Sequence, residues 1–324
     1  MLVSYRSLPI LKLSIAVSFV LFTIFLYLYY RPSSFADLKS LSVGLGASGS
    51  TWPGTSVAAG VPETIWYKVG PNGLSDDARK WGDDCLRKNP TFRSEVLTDS
   101  SGDLFVQENF AFRPDIVDTF LALPIPILKA DFLRYLLLYS KGGVWNDLDV
   151  SCEDTPIRDW IPQELKKDVN LVVGWEFDVG WGDNIMRQFA TWTVMAKPKS
   201  PHLMMVIDDI LDAVHQITEE RQITIPDLTT DIIPDVVDFT GPRRLTTGVI
   251  KSLESSLQKT IDNKEISHLL EPMLVGDVLI LPGYSLARSM NTYETNNTGP
   301  AFVTHHYAGS WKNKVGGEVQ ASVD

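Results

Sequence analysis

The most apolar segment of the chain lies close to its start. Residues 13–30 (LSIAVSFVLFTIFLYLYY) carry no charged side chain, and as a helix they would span about 27 Å, enough to cross a thin bilayer. Tyr27, Tyr29 and Tyr30 stand at one end, where amphipathic rings favour the membrane interface. No small-x-small cleavage site follows, which favours a retained signal-anchor over a cleaved signal peptide. We therefore expect a short cytoplasmic tail (1–12), a transmembrane helix and a lumenal remainder.

Behind the apolar run the composition changes. Residues 31–60 are rich in serine, glycine and alanine and poor in large apolar side chains. Such a segment cannot bury enough surface to fold, so it is predicted to be a flexible stem. Residues 61–314 have the composition of a globular protein and are long enough for one large domain. Residues 315–324 are assigned to a C-terminal tail.

Within the globular region, the hydrophobic pattern predicts strands and helices in alternation. The segments predicted as strands are 63–69, 93–97, 144–150, 171–177, 277–281 and 301–307. The segments predicted as helices are 76–88, 127–141 and 201–217. Gly142 and Gly143 follow the second helix as a C-terminal stop signal. Alternating strands and helices predict an α/β fold with a largely parallel sheet.

Composition narrows the choice of ligand and compartment. The formal net charge is -11, so a polyanion would be repelled and nucleic-acid binding is excluded. The chain has two cysteines, Cys85 and Cys152. In an oxidising lumen they could form a disulfide worth about 4 kcal/mol, and two buried free thiols fit the sequence equally well. The single usable glycosylation sequon begins at Asn296.

Candidate chemistry is concentrated in residues 129–150 (KADFLRYLLLYSKGGVWNDLDV). On the predicted helix, Asp131, Arg134 and Tyr135 share one face, while neighbouring leucines point towards the core. A surface ion pair of little consequence would have the same spacing, so the sequence leaves that interpretation open.

Two aspartates follow the paired glycines. On the predicted strand, Asp147 and Asp149 would point to the same side and Leu148 into the sheet. Two adjacent carboxylates repel each other unless a cation lies between them. Mn²⁺ or Mg²⁺ suits such oxygen ligands and also binds diphosphate. The position at the end of a strand in an α/β sheet is where ligands bind.

These residues resemble a known family. Residues 130–135 (ADFLRY) and 142–149 (GGVWNDLD) resemble the DXD-containing sugar-binding region of glycosyltransferase family 32. From about residue 61 to residue 312 the chain is similar to the fungal initiating α-1,6-mannosyltransferases, which start the outer chain of N-glycans. Further matching segments are 61–66 (VPETIW), 192–201 (WTVMAKPKSP), 240–242 (TGP) and 305–312 (HHYAGSWK). The resemblance implies a GT-A fold, which is a Rossmann-like mixed sheet with flanking helices.

The resemblance also implies a metal site. Asp149 would bind Mn²⁺ or Mg²⁺ directly, and Asp147 would reach the metal or the ribose, so both would be catalytic. His306 would complete the metal shell. The alternative for the His305–His306 pair is a strand end with one buried and one exposed imidazole.

For the donor, the resemblance implies GDP-mannose. Asp131 and Arg134 would hold hydroxyls of the donor sugar. The other donor-binding residues would be Tyr135, Gly143, Trp66 near the base, and Trp311 and Lys312 over the diphosphate. A packing role for Trp311 is the alternative.

The implied function is a metal-dependent, retaining α-1,6-mannosyltransferase acting on the core of protein N-glycans. It would be a single-pass type II Golgi membrane protein whose partners are a nucleotide sugar, a glycan acceptor and candidate subunits of a mannosyltransferase complex. Two alternatives remain, a mannosyltransferase acting on inositol-phosphoceramide lipid and an inactive sugar-binding subunit of such a complex. The sequence identifies no nucleophile.

Overall fold

The computed structural model of the protein describes residues 60–182, 185–294 and 298–309. The predicted cytoplasmic tail, the transmembrane span and all but the last residue of the stem lie outside these ranges. Inside them, no helix is long and apolar enough to cross a membrane.

The described residues form nine strands and eight α-helices. The strands are β1 (Thr64–Lys68), β2 (Arg93–Leu97), β3 (Gly143–Asn146), β4 (Val150–Cys152), β5 (Leu171–Gly174), β6 (Thr193–Ala196), β7 (Met273–Val275), β8 (Val278–Leu281) and β9 (Val303–His305). The helices are α1 (Asp76–Lys88), α2 (Asp99–Asn109), α3 (Pro114–Ala122), α4 (Pro126–Lys141), α5 (Pro201–Arg221), α6 (Val236–Phe239), α7 (Pro242–Leu257) and α8 (Gly283–Ala287). Short 3₁₀ turns cover Ile157–Asp159, Ile225–Asp227 and Arg288–Met290.

The main sheet has seven strands in the order β2-β1-β3-β6-β5-β8-β7, and β4 pairs with β9 in a separate two-stranded sheet. The α/β class and the mixed sheet with flanking helices are confirmed. The sheet is less parallel than predicted: β2, β1, β3, β5 and β8 run in one direction, but β6 is antiparallel to both β3 and β5, and β7 is antiparallel to β8. For β7 the reason is local, because it is joined to β8 by a tight turn at Gly276, with φ 60°, and such hairpins connect antiparallel strands.

Successive residues of the strands point to opposite faces, and each face has its own core. Trp66 of β1 and Trp145 of β3 lie in the larger core, with the apolar faces of α4, α5 and α7. Ile65 and Val144, the neighbours of these tryptophans, lie in the smaller core. The sheet is therefore covered on both sides, as expected of an α/β protein.

The helix that carries Asp131 and Arg134 has clear start and stop signals. Pro126 occupies the first turn of α4, where its missing N–H has no intrahelical partner to lose. Gly142 ends the helix at φ 66°, and its N–H bonds to the carbonyl of Leu138 at 2.8 Å. The predicted helix is confirmed within one residue at its start.

The structure also shows elements that the hydrophobic pattern did not predict. Helices α2, α3 and α7 and strand β6 were all missed, although β6 is fully buried in the middle of the sheet. The predicted strand 144–150 is divided into β3 and β4, which belong to different sheets.

Cys85 of α1 and Cys152 of β4 form a disulfide, which decides between the two alternatives left open by the sequence. Both cysteines are buried in the smaller core. The bond ties α1 to the strand that directly follows the two aspartates.

Candidate active site

A cavity of about 350 Å³ lies at one edge of the main sheet. Strands β1, β3 and β5 run in the same direction, so their carboxyl ends meet at this edge. The cavity walls come from the residues after those strands, from the start of α4, from the start of α7 and from residues 305–309. This is the usual place and size for a small-molecule site in an α/β fold.

The Asp131–Arg134 pair lies in the wall of this cavity and is buried, with each residue only 4% exposed. Arg134 Nη1 donates to Asp131 Oδ1 at 2.6 Å, and Thr240 Oγ1 donates to Asp131 Oδ2 at 2.9 Å. Burial raises the pKa of Asp131, and the charge of Arg134 and the Thr240 hydroxyl oppose that rise. The interpretation of this pair as a surface ion pair is therefore wrong.

Arg134 also connects the helix to the DXD aspartates. Its Nη2 donates to Asp147 Oδ1 at 3.1 Å, and Trp145 Nε1 donates to the same oxygen at 2.6 Å. The guanidinium lies 5.1 Å from the centre of the Trp145 ring. Burial alone would lower the pKa of Arg134, but the carboxylates of Asp147 and Asp131 outweigh burial and raise it, so the guanidinium stays charged.

The two aspartates are not on a strand, contrary to the prediction. Strand β3 ends at Asn146, and residues 147–149 form a turn in which Val150 N donates to Asp147 O at 3.2 Å. The antiparallel pairing of β4 with β9 pulls the chain out of the main sheet immediately after this turn. Both Asp147 and Asp149 nevertheless line the cavity, as expected of a pair that binds one ligand.

Asp149 is held by residues from the end of the described chain. Ala308 N donates to Asp149 Oδ2 at 2.9 Å, and His305 Nε2 lies 3.3 Å from the same oxygen. Burial raises the pKa of Asp149, but the hydrogen bonds and charge of His305 and the Ala308 N–H outweigh burial and lower it. The Asp149 carboxylate is therefore kept ionised.

The histidine beside Asp149 is His305, whereas the sequence analysis assigned His306 to the metal shell. His306 stacks on Trp81 at 4.0 Å between ring centres and hydrogen-bonds Ser151 Oγ at 2.9 Å. His305 stacks on Trp192 at 4.3 Å and lines the cavity. The two imidazoles point apart because they are consecutive along β9 and the following residue, as the strand-end alternative described.

Three other residues assigned to the donor lie behind the cavity wall. Trp66 donates its indole N–H to the carbonyl of Gly142 at 2.8 Å. A Cβ on Gly143 would lie 2.6 Å from Thr64 O and 2.9 Å from Trp66 Nε1, so glycine is required for the close packing of β3 on β1. Tyr135 donates to the carbonyl of Thr240 at 2.9 Å. None of these three lines the cavity, so the structure places them in packing roles.

Trp311, Lys312 and Asn296 lie outside the described residues, and their assigned roles remain predictions.

The cavity walls fit a divalent cation held together with a diphosphate. Among the described residues, no three His, Cys, Asp or Glu side chains form a cluster that could hold a metal alone. Mg²⁺ needs only one or two carboxylates when substrate phosphates and waters complete its shell, and Asp147 and Asp149 supply them. Among the described residues that line the cavity, the basic side chains of Lys68 and Arg134 are already paired with carboxylates. A divalent cation would supply positive charge to a diphosphate bound beside them.

Among the cavity residues that sequence reasoning missed are four with side chains able to bind a polar ligand: Lys68, Glu176, Gln188 and His305. Glu176 lies two residues after the buried strand β5, at the same edge of the sheet as Asp147 after β3. Burial raises the pKa of Glu176, and a hydrogen bond from Gln188 opposes that rise. His305 stood beside His306, and the sequence alone could not say which imidazole faces the site.

The chain is similar to a known protein family, to individual relatives in sequence and to solved structures. The family described as "Glycosyltransferase sugar-binding region containing DXD motif" matches residues 75–166, which include every Asp and Arg of the network above. An initiation-specific alpha-1,6-mannosyltransferase of Candida albicans is 30% identical over 280 residues, covering 78% of this chain and 72% of the relative.

Two further relatives are similar over the same part of the chain. An initiation-specific alpha-1,6-mannosyltransferase of Schizosaccharomyces pombe is 31% identical over 266 residues, covering 79% of this chain. The putative glycosyltransferase HOC1 of Saccharomyces cerevisiae is 32% identical over 268 residues, covering 78% of this chain. The chain spans 65% of the length of each of these two relatives.

Among solved structures, the PaToxG glycosyltransferase aligns with a TM-score of 0.42 and 14% identity, covering 64% of this chain and 75% of that one. A glycosyltransferase involved in glycosylation of the major capsid of PBCV-1 aligns with a TM-score of 0.32 and 10% identity, covering 75% and 93%.

Proposed function

The chain belongs to the glycosyltransferases whose sugar-binding region contains the DXD motif, and we propose that it transfers mannose in α-1,6 linkage. The donor would be GDP-mannose and the acceptor the core of a protein N-glycan. The names of the Schizosaccharomyces pombe and Candida albicans relatives support the reaction. Relatives named mannosyl phosphorylinositol ceramide synthase match only 29% of the chain, so a lipid acceptor has less support.

One observation carries the proposal. The buried Asp131–Arg134 pair and Asp147 of the DXD turn form one hydrogen-bonded network in the wall of a cavity that Asp149 also lines. An ion pair this deeply buried costs desolvation free energy that hydrophobic packing would avoid. Its polar atoms are therefore best explained by a polar ligand that hydrogen-bonds them.

The network is suited to a hexose. A carboxylate oxygen can accept two hydrogen bonds, and each oxygen of Asp131 has one partner among the described residues. Each oxygen can therefore accept one more hydrogen bond from a sugar hydroxyl. Because Arg134 and Thr240 fix the carboxylate in place, those free positions have defined directions, which is what discrimination between hexose epimers requires.

The aspartates of the turn would act on the diphosphate end of the donor. A divalent cation bound there would neutralise the negative charge that develops on the leaving nucleoside diphosphate. Asp149 would be its direct ligand, because the lowered pKa of this carboxyl keeps it ionised. Arg134 and Trp145 hold Asp147 in a fixed orientation towards the same end of the donor. GDP-mannose and the expected product are both α-linked, so the reaction would retain the anomeric configuration.

We also propose that residues 13–30 anchor the protein in the Golgi membrane with residues 31–324 in the lumen. The support is the uncharged apolar run and the absence of a cleavage site after it. Endoglycosidase treatment of the protein from cells should then remove one glycan, carried by Asn296. A mature protein that always begins within residues 31–60 would contradict a retained anchor.

The reaction is tested with the full chain in detergent. The chain is incubated with Mn²⁺ and one donor at a time, either GDP-mannose, GDP-glucose, UDP-glucose or UDP-galactose. Release of the nucleoside diphosphate is measured for each donor. We expect hydrolysis of GDP-mannose above the other donors, and its mannose should be transferred to a mannose-rich N-glycan in α-1,6 linkage. Transfer to inositol-phosphoceramide instead would favour the lipid alternative. No hydrolysis of any donor, with Mn²⁺ or Mg²⁺, would favour an inactive subunit.

A further inference from the structure

A second polar pair lines the cavity, on the wall formed beyond the end of β5. Glu176 and Gln188 face each other there, joined by a backbone hydrogen bond from Glu176 N to Gln188 O at 2.8 Å. Gln188 Nε2 also donates to Glu176 Oε2 at 2.7 Å. Both residues are buried, at 8% and 7% exposure, and both line the cavity. Neither is used by the network that involves Asp131, Arg134 and Asp147.

The carboxylate of Glu176 has unused hydrogen-bonding capacity. Within the described part of the chain, Gln188 is its only side-chain hydrogen-bond partner, and that bond uses Oε2. Among the described residues, no hydrogen bond to Oε1 is seen, and Glu176 lines the cavity. A buried carboxylate with unused acceptor capacity in a cavity wall is stabilised when a ligand donates to it.

The backbone around Glu176 is held independently of its side chain. Asn291 Nδ2 donates to Glu176 O at 2.9 Å, and Asn291 Oδ1 accepts from the N–H groups of Asp178 and Val179 at 2.7 and 2.9 Å. Glu176 is thus presented to the cavity by a loop that is already fixed. A preformed position of this kind suits recognition of a ligand, because little side-chain or loop freedom is lost on binding.

The sheet order separates this pair from the donor residues. Strand β6 lies between β3, which leads to Asp147, and β5, which leads to Glu176. Neighbouring strands are about 4.8 Å apart, so the ends of β3 and β5 are separated by roughly 10 Å along the sheet edge. One sugar ring can lie between them. A carboxylate at this distance also disfavours the diphosphate, which carries the same sign of charge, and favours a neutral ligand rich in hydroxyl groups.

We infer that Glu176 and Gln188 bind hydroxyl groups of the acceptor sugar, which makes the wall beyond β5 the acceptor subsite. Glu176 accepts hydrogen bonds from the acceptor through Oε1, and Gln188 fixes the carboxylate orientation. This inference rests on the proposed function, because an acceptor subsite exists only where a sugar is transferred.

Binding measurements test the inference without relying on catalysis. The full chain in detergent is titrated with a mannose-terminated trisaccharide in the presence of GDP and Mn²⁺, and separately with GDP and Mn²⁺ alone, by calorimetry. The variants are Glu176→Ala and Glu176→Gln, with Glu219→Gln on the exposed face of α5 as the matched control. The glutamine variant can still hydrogen-bond Gln188 but lacks the negative charge. It is therefore expected to fold, and it tests the inference even if the alanine variant misfolds.

We expect both Glu176 variants to bind the trisaccharide at least tenfold more weakly, with GDP affinity unchanged within twofold, and Glu219→Gln to match the wild type. In transfer assays the acceptor KM should rise while hydrolysis of the donor by water stays constant. Unchanged trisaccharide binding in both variants would overturn the inference, as would a wild type that does not bind the trisaccharide. An equal loss of GDP binding would place Glu176 on the donor side. Failure of the proposed function is seen separately, as a wild type that hydrolyses no nucleotide sugar.

Discussion

At the residue scale, the arrangement of charge around Arg134 is the main determinant of the site. Arg134 bonds to two carboxylates from different elements: Asp131, three residues away on the same helix, and Asp147, thirteen residues away in the DXD turn. Its Nε is buried and has no hydrogen-bond partner among the described residues, which is a polar cost of holding the guanidinium between the two carboxylates.

The first prediction concerns Asp131. Asp131→Asn keeps the shape of the side chain but removes its charge and turns one acceptor oxygen into a donor. Mannose transfer should fall roughly 5- to 150-fold, since an unmatched buried polar group costs about 1–3 kcal/mol, while GDP affinity should change little. Transfer rates and GDP binding are measured on the same preparation.

The matched control for this variant is Asp84→Asn in α1. Asp84 pairs with Arg87 at the same i,i+3 spacing, but that pair is exposed and remote from the cavity. It should behave as the wild type, because exposed ion pairs contribute about 0–1 kcal/mol. Equal transfer rates for the two variants would show that burial of the Asp131 pair has no part in donor recognition.

The second prediction concerns Asp149. Asp149→Asn keeps a side-chain oxygen for the Ala308 N–H but lacks the charge that a divalent cation requires. Transfer should fall about 10²-fold or more, and the loss should be only partly recovered at high Mn²⁺ concentration. The control is Asp154→Asn, whose side chain is 99% exposed and should leave transfer unchanged. Wild-type activity that survives a strong chelator would exclude the metal-dependent mechanism.

At the element scale, Gly142, which lies between α4 and β3, sets the distance between the helix and the DXD turn. Gly142 has φ 66°, and a Cβ there would lie 2.7 Å from Pro198 Cδ and 2.8 Å from Ala196 O. These atoms belong to the end of β6 and the residues after it, so a larger residue would push α4 away from the sheet. Arg134 could then no longer reach Asp147.

The third prediction follows from those contacts. Gly142→Ala should destabilise the fold by roughly 2–6 kcal/mol, because φ 66° and ψ -168° is a conformation that essentially only glycine adopts, costing about 1–3 kcal/mol, and overpacking adds about 1–3 kcal/mol. Gly73→Ala is the matched control, since Gly73 has φ 81° and nothing within 4 Å of its added Cβ. It should show the strain alone. The two variants are compared by the midpoints of urea unfolding, which is valid when their m-values are equal. Equal midpoints would show that the fold accommodates the added methyl group at position 142 without further loss of stability.

The same elements explain which parts of the fold the sequence predicted. Helix α1 was predicted with its observed bounds, because Asn89–Pro90 marks its end in the sequence. The structure adds Ser75 as its N-cap, which accepts from the N–H of Ala78. Strand β6 has only four residues and no alternation, since all four are buried, so its pattern is not distinct from a loop. The division of 144–150 into two strands depends on pairing between β4 and β9, which are distant in the sequence. Local patterns do not contain that information.

At the scale of the whole molecule, the candidate site collects residues from nearly the full length of the globular region. Lys68 lies near its start and His305 near its end, and both line the same cavity. The sequence predicted the central part, Asp131 to Asp149, because those charges stand in one apolar stretch. It did not predict Glu176, Gln188 or the choice of His305 over His306, because each depends on how distant segments are placed beside the sheet edge.

The disulfide acts at this scale and supports the last prediction. Cys85 and Cys152 join α1 to β4 across a sequence separation of 67, and β4 begins one residue after Asp149. In the chain-entropy account, closing a loop of that length stabilises the folded state by about 4 kcal/mol. The double variant Cys85→Ala/Cys152→Ala should therefore unfold at a clearly lower guanidinium concentration than the wild type. The unfolding midpoint of wild type treated with a reductant should approach that of the variant, while the midpoint of the variant itself should not change with reductant.

Because β4 holds the end of the DXD turn, the variant should also bind GDP and Mn²⁺ more weakly at temperatures well below its unfolding midpoint. Unfolding midpoints that coincide for oxidised wild type and variant would mean that the smaller core, and not the covalent link, fixes α1 against β4.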